Sequence, residues 1–266
     1  MSFEKESINQ SIVPKRLDYD KAEKKIKEII DFELLEKRIK TPFLLKKETK
    51  WLVDENGDLD FKEEREGVSA VIKALARLVL ELKKTMTDYD TILSDDIHGR
   101  PVSLLLKKII DKQRKRIGKK EIPIYFLASG RHRSMEQESE MEKFIVSKKE
   151  GLGKVLLVTE LISTGRSMAH LTDILIRHDI DFEIAAAQIN TRLKNDYDQI
   201  LLERLRYGVA GGLAGSLLYH GTGLGVRKDN YSILPYPVLS DEDRGPATQL
   251  RQDIDVLANE LSKLLD

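Results

Sequence analysis

The sequence predicts an α/β fold: a central, mostly parallel sheet flanked by helices, preceded by a helical N-terminal extension. Three observations predict it. From Tyr89 onward, short apolar runs rich in β-branched residues alternate with segments of helical spacing, the pattern of parallel strands covered on both faces. The chain has 266 residues, 41% of them apolar, enough to bury a large core. Before Tyr89 the chain is charge-dense and reads as helix.

Taken in order, Ala22, Ile26, Ile29 and Ile30 give the first helical stripe. Trp51 to Phe61 reads as a short hairpin turning at Asn56-Gly57. Its acids do not make a calcium loop, because the glycine is misplaced and Arg65 stands where the loop's last carboxylate is needed. Asp60 with Glu63 forms a capping box for a strong helix carrying Val68, Val71, Ile72, Leu75, Val79 and Leu82 on one face. Thr91 to Leu93 reads as the first strand of the α/β part, Asp95 to Arg100 as a loop, and Pro101 to about Ile117 as a helix. Pro101 suits a first helical position, and Val102, Leu105, Leu106, Ile109 and Ile110 form the buried stripe. Ile122 to Ala128, Val155 to Val158 and Ile184 to Ile189 supply three further strands. Gly208 to Gly225 reads as a glycine-rich loop, and an amphipathic helix through Leu250, Ile254, Leu257, Leu261 and Leu264 closes the chain. The expected division is residues 1–88 as extension and 89–266 as the α/β domain. There is no sequence repeat.

Composition narrows the function classes. The 45 basic and 45 acidic side chains cancel, which gives no support for a dedicated nucleic-acid or membrane surface. Absence of cysteine removes disulfides, thiolate metal sites and a cysteine nucleophile. The opening MSFEKESINQ has no apolar signal region, and no run has the length of a membrane span, so a cytoplasmic protein is expected. Neither a P-loop nor an HExxH helix is present. Lys107 to Lys120 is basic, but it interleaves with a buried stripe and holds no aromatic residue, so it reads as a solvated helix face. The glycines of Gly208 to Gly225 make no dinucleotide fingerprint.

The richest stretch is Lys154 to His170, KVLLVTELISTGRSMAH. An apolar run leads through Glu160 into Ser163-Thr164-Gly165-Arg166-Ser167 and then into helical spacing. A strand that ends in a small, hydroxyl-rich turn at a helix start points backbone N–H groups outward, and the helix dipole adds to them, which suits a phosphate. Gly165 lets the backbone approach closely, while Thr164 and Ser167 add hydroxyl donors. A plain helix-capping turn has the same composition.

Residues 155–167 resemble the phosphoribosyl pyrophosphate (PRPP) loop of type I phosphoribosyltransferases: an apolar run, an acidic pair, an apolar pair, then Thr-Gly-X-Ser/Thr. The sequence has Thr159 at the first acidic position, Glu160 at the second, and Arg166 where glycine is commoner. The resemblance, extended over about residues 89 to 240, implies a phosphoribosyltransferase-like fold. It also implies that Ser163, Thr164, Gly165, Arg166 and Ser167 hold the ribose 5′-phosphate while Glu160 holds the ribose hydroxyls. By position, Asp96, Gly99 and Arg100 match the pyrophosphate loop. Arg131 and Arg133, in Ser129 to Ser134, match the mobile basic loop that closes over PRPP. Three anion-suited loops following three successive strands in this order carry the resemblance. It implies Mg²⁺ as cofactor, PRPP or a nucleotide as ligand, and transfer of the phosphoribosyl group to a nitrogen base with release of pyrophosphate.

Two other readings stay open at this point. Loss of the first carboxylate at Thr159 suits a PRPP or nucleotide sensor that signals to a protein partner. The charged N-terminal helices suit a surface for a homo-oligomer or another protein. Tyr219 or His220, after the fourth strand, are candidates to face a base, and His98 is a candidate proton carrier.

Overall fold

In the computed structural model, which describes residues 18–40, 48–53, 59–64, 67–127, 135–162, 165–189, 199–210, 226–227, 236–237 and 241–266, the chain opens with helices α1 (Tyr19–Ile29) and α2 (Phe32–Arg38). Asp18 caps α1 by accepting from the Lys21 N–H, and Asp31 caps α2 by accepting from the Leu34 N–H, each satisfying a donor without a helical partner. Ala22, Ile26 and Ile30 are buried along the expected stripe. Strands β1 (Glu48–Val53) and β2 (Leu59–Glu64) pair antiparallel with Trp51 opposite Phe61, as the hairpin reading requires. Its Asn56-Gly57 turn and Arg65 lie outside the described residues. The ladder runs further than expected and takes in Asp60 and Glu63. Strand pairing therefore replaces the expected capping box, and helix α3 (Gly67–Leu82) begins beyond it.

The α/β part then follows: β3 (Thr91–Asp95), α4 (Asp96–Arg116), β4 (Ile124–Leu127), α5 (Met135–Leu152), β5 (Val155–Ile162), α6 (Arg166–Arg177), β6 (Phe182–Ile189), α7 (Gln199–Arg204), β7 (Leu205–Ala210), short strands β8 (Val226–Arg227) and β9 (Tyr236–Pro237), and α8 (Asp241–Ser262). A five-stranded sheet in the order β4-β3-β5-β6-β7 forms the centre, and every neighbouring pair is parallel. No helix among the described residues is long and apolar enough to cross a membrane.

Strand β4 starts at Ile124 rather than Ile122, β3 and β6 are each two residues longer than expected, and three larger differences from the sequence reading each have a physical reason. First, β5 runs on through Thr159, Glu160, Leu161 and Ile162, because β6 continues to pair with it. Second, the stretch from Asp96 to Arg100 is helix rather than loop, so Pro101 falls inside α4 instead of at its start. Proline has no N–H to give the Ile97 carbonyl, and the helix gains a full turn ahead of that break. Third, Gly208 lies in a strand, β7, and not in a glycine loop. The run Leu205–Ala210 is short and carries arginine and glycine, so it lacks the apolar signature of the other strands. Pairing with β6 along one edge supplies the order that its composition does not.

Two hydrophobic clusters cover the sheet, and β5 shows why. Side chains alternate across a strand: Leu156 and Val158 enter the cluster with α3, α4 and α8, while Val155 and Leu157 enter the one with α5 and α6. Ala22, Ile26, Leu35 and Ile39 belong to that first cluster as well. The helices before Tyr89 thus share their core with the α/β part, and α3 packs directly on β6 and β7. Removing the first 60 or so residues would strip apolar cover from α3 and α8.

Ion pairs tie this outer layer down. Glu23 of α1 accepts from Arg77 of α3 at 2.7 Å with Lys73 and Lys27 nearby. Burial opposes its charge, but these three cations outweigh it and hold the Glu23 carboxyl below its ordinary value. The Glu142 carboxyl of α5 is lowered chiefly by its hydrogen bond to His178 of α6, then by Arg177. A carboxylate whose pKa is lowered on folding stabilises the fold above its unfolded value, and that contribution is lost as pH falls through the folded value. We therefore expect melting temperature to hold near neutrality and to decline once pH drops below the ordinary glutamate value of 4.5. Thermal melts from pH 7 to 3 check this, and a flat profile through that lower window would contradict it.

Candidate functional site

All five strands are parallel, so their carboxyl ends (Asp95, Leu127, Ile162, Ile189 and Ala210) reach the same edge. From β3 the chain moves outward to β4, then returns past β3 to form β5. The strand order reverses there, between β3 and β5. Connections on either side leave in opposite directions at such a point and open a crevice where ligands bind in open α/β sheets.

Polarity is concentrated at this edge. The first residues of β5, Val155 to Val158, are apolar and buried, whereas Thr159 and Glu160 behind them are equally buried. Ser94 near the end of β3 and Gln188 near the end of β6 are buried too. Burying polar groups costs free energy unless they find partners, so their gathering at one end of the sheet marks it apart from the rest of the core. Glu160 exposes no surface at all and is engaged with its neighbours.

The start of α4 lies across the middle of β5. A Cβ built on Gly99 would meet the Val158 carbonyl oxygen at 2.8 Å and the Ser94 Oγ at 2.9 Å, with the Thr159 Cα at 3.3 Å. Only glycine permits that approach. Ser103, one turn on, donates from its Oγ to the Ser94 Oγ at 2.8 Å, and both serines are buried. This small-residue seat fixes the first turn of α4 against Val158 and Thr159. Arg100, next in sequence, lays its guanidinium 3.7 Å from the ring centre of Phe126 on β4. Asp96 is the first residue of the helix.

On the other side of the crevice, Gly165 is the N-cap of α6 in the left-handed region, with φ 71° and ψ −13°. Its carbonyl accepts from the Ala169 N–H at 2.8 Å, which closes the first helical turn. Arg166 and Ser167 are the opening residues of that helix. Glycine brings no capping side chain, so the early N–H groups of α6 are not served by an N-cap side chain in the usual way. A left-handed turn followed by a helix start is a geometry that cradles anions.

The structure thus brings Asp96, Gly99 and Arg100 to one side of the switch point and Glu160, Gly165, Arg166 and Ser167 to the other. Ser163 and Thr164 lie outside the described residues, as do Arg131 and Arg133 and the candidates Tyr219 and His220. Sequence reasoning missed Ser94, Ser103 and Phe126. Their signal was thin: two small polar residues and one aromatic, each within apolar segments and pointing to the core as readily as to a site. Among the described residues, no three His, Asp or Glu side chains gather as a ready metal cage.

No protein-family model matches the chain, and no curated protein does. Among solved structures it is similar to an orotate phosphoribosyltransferase from Aeropyrum pernix, at 15% identity over 67% of this chain and 92% of that one, with a TM-score of 0.35. A hypoxanthine-guanine-xanthine phosphoribosyltransferase aligns at 14% identity over 66% of this chain and 93% of its own, with a TM-score of 0.33. Likenesses this distant leave the function to be argued from the site itself.

Proposed function

We propose that the crevice between β3 and β5 binds PRPP and that the protein transfers its phosphoribosyl group to a nitrogen base, releasing pyrophosphate. One observation carries the reading. The segment that the resemblance assigns to the diphosphate, Asp96 to Arg100, and the described parts of the one it assigns to ribose and 5′-phosphate, Glu160 with Gly165 to Ser167, flank the only reversal of strand order among the described residues.

In this reading the 5′-phosphate lies on the left-handed turn at Gly165, between Ser163 and Ser167. Backbone N–H groups and hydroxyls donate to its oxygens there. The diphosphate lies against the start of α4, with Arg100 as its fixed cation and the backbone around Gly99 drawn in close. Arg131 and Arg133 supply further positive charge by closing over the ligand and excluding water. Glu160 accepts from the ribose hydroxyls, which requires the groups that cover it to move aside, since the residue is now wholly buried.

In the reaction, the C1–oxygen bond to diphosphate breaks and a C1–nitrogen bond forms. The electron pair leaves with the diphosphate, and the base gives up its nitrogen-bound proton. Developing charge sits on the leaving group, so the protein's task is positioning and stabilisation of that anion. Mg²⁺ takes few protein ligands and completes its shell with phosphates and water. Such a metal needs no preformed cage, and Glu160, buried and engaged in this structure, would reach it only once uncovered. When bound, the metal would neutralise diphosphate charge.

A second reading, a PRPP or nucleotide sensor without turnover, is favoured by one feature: the site offers Thr159 and a covered Glu160 where an open acidic pair would grip ribose. Calorimetric titration of PRPP with and without Mg²⁺, followed by pyrophosphate release assays with nucleobases, decides between them. Saturable one-site binding with turnover is the expected result. Binding without turnover on any base would select the sensor, and absence of binding under both conditions would remove the phosphoribosyl site altogether.

A further inference from the structure

We infer that Phe126, which belongs to none of the sequence motifs, is a positioning residue that holds Arg100 ready for a diphosphate. The inference rests on the reading above, in which Arg100 faces that group.

The guanidinium of Arg100 sits 3.7 Å from the ring centre of Phe126, well inside the distance at which a cation gains from an aromatic face. The fold places the pair deliberately. Phe126 stands opposite Ser94 in the parallel register of β3 and β4, and Ser94 is the residue against which Gly99 and Ser103 seat the first turn of α4. Ring and guanidinium are thus carried by two elements already locked together at the sheet's carboxyl edge. An arginine on flexible bonds loses much rotamer freedom on gripping a ligand. A stacked one has lost it beforehand. Stacking uses the face of a guanidinium, whereas planar, two-pronged recognition of phosphate oxygens uses its edge, so the two are compatible on one arginine.

The chain contains a second such pair that shows the alternative use. Arg204 stacks on Phe182 at 4.5 Å, at the amino edge of the sheet, and its Nη1 donates to the Phe182 carbonyl at 3.0 Å, with Asp181 at 3.4 Å. That arginine ties β6 to the helix before β7. The Arg100 pair differs in its place, at the carboxyl edge, where Phe126 stands opposite Ser94 and the neighbouring Gly99 rests on Thr159.

The test is titration of inorganic pyrophosphate with Mg²⁺ into the full chain, for wild type, Phe126→Leu, Phe126→Trp, Arg100→Met and the Phe126→Leu/Arg100→Met double variant. Phe126→Leu should weaken binding roughly 2- to 30-fold, the range of a cation–π contact, while Phe126→Trp stays near wild type. In the Arg100→Met background, Phe126→Leu should change affinity less than 2-fold, since nothing is left to orient. Equal loss in both backgrounds would assign Phe126 a packing role and overturn the inference. Should Phe126→Leu fail to fold, pentafluorophenylalanine at position 126 keeps the shape and withdraws the ring's negative face. Unchanged affinity with it overturns the inference equally. Wild type that binds neither pyrophosphate nor PRPP brings down the functional reading as well, whereas wild-type binding with indifferent Phe126 variants brings down this inference alone.

Discussion

Gly208→Ala is expected to destabilise the protein by about 3 kcal/mol, the upper part of the range for overpacking a filled core. For a chain of this size that corresponds to a fall in melting temperature of roughly 6–12 °C. The reason is the closeness of α3 to β7. A Cβ on Gly208 would lie 2.0 Å from the Ala74 carbonyl oxygen, 2.7 Å from its carbon, and 2.8 Å from the Ala187 carbonyl oxygen. All three are backbone atoms, so no side chain can swing aside, and the helix must lift from the strand. Lifting it also loosens Ile72, Leu75 and Val79, which lie in the cluster shared with α4, α8 and β5. Differential scanning calorimetry on the variant measures the effect. A melting temperature within a degree or two of wild type would mean that α3 does not rest on β7 as described.

That same glycine shows how far the sequence could be read. The fold class was legible because parallel strands buried on both faces write themselves as continuous apolar runs, as Val155 to Val158 do. Where a strand mixes an arginine, a tyrosine and a glycine, as Leu205–Ala210 does, the local pattern resembles a loop. Only the neighbouring strand and the helix packed on it make it a strand. The helix start at Asp96 was hidden for a related reason. Proline at position 101 signals a helix beginning, and nothing local reveals that Gly99 seats an additional turn against Val158 and Thr159. Tertiary contact decided both.

The site was legible in its backbone and opaque in its packing. Glycine followed by helical spacing at 165–177 announced a helix start, and the left-handed Gly165 sits there. Gly99 and Arg100 were assigned to the neighbouring element from order along the chain, and the strand order β4-β3-β5 places that element next to β5. The burial of Glu160 and the partnership of Arg100 with Phe126 were beyond reach: no local pattern marks the one, and the other joins α4 to the strand that follows it.

Gly165→Val is the substitution that should cost the protein most of its ligand affinity while leaving it folded. The position has φ 71°, a region that an L-residue enters at a cost of about 1–2 kcal/mol, and a β-branched one at more. Relief comes from rotating the turn, which redirects the N–H groups at the start of α6 away from the anion. Losing even two charge-assisted hydrogen bonds to a phosphate should weaken PRPP binding on the order of 100-fold. Backbone strain alone must be separated from loss of the site, and the chain supplies its own control. Gly118, just beyond α4, has φ 74° with nothing within 4 Å of an added Cβ, and it follows the end of the helix opposite Gly99 and Arg100. Gly118→Val therefore carries comparable strain without touching the crevice. The expected outcome is two variants with similarly lowered melting temperatures, of which only Gly165→Val loses PRPP in calorimetry. If Gly165→Val titrates with wild-type affinity, the left-handed turn is a helix cap and nothing more, and the phosphate must be sought elsewhere on the sheet's edge.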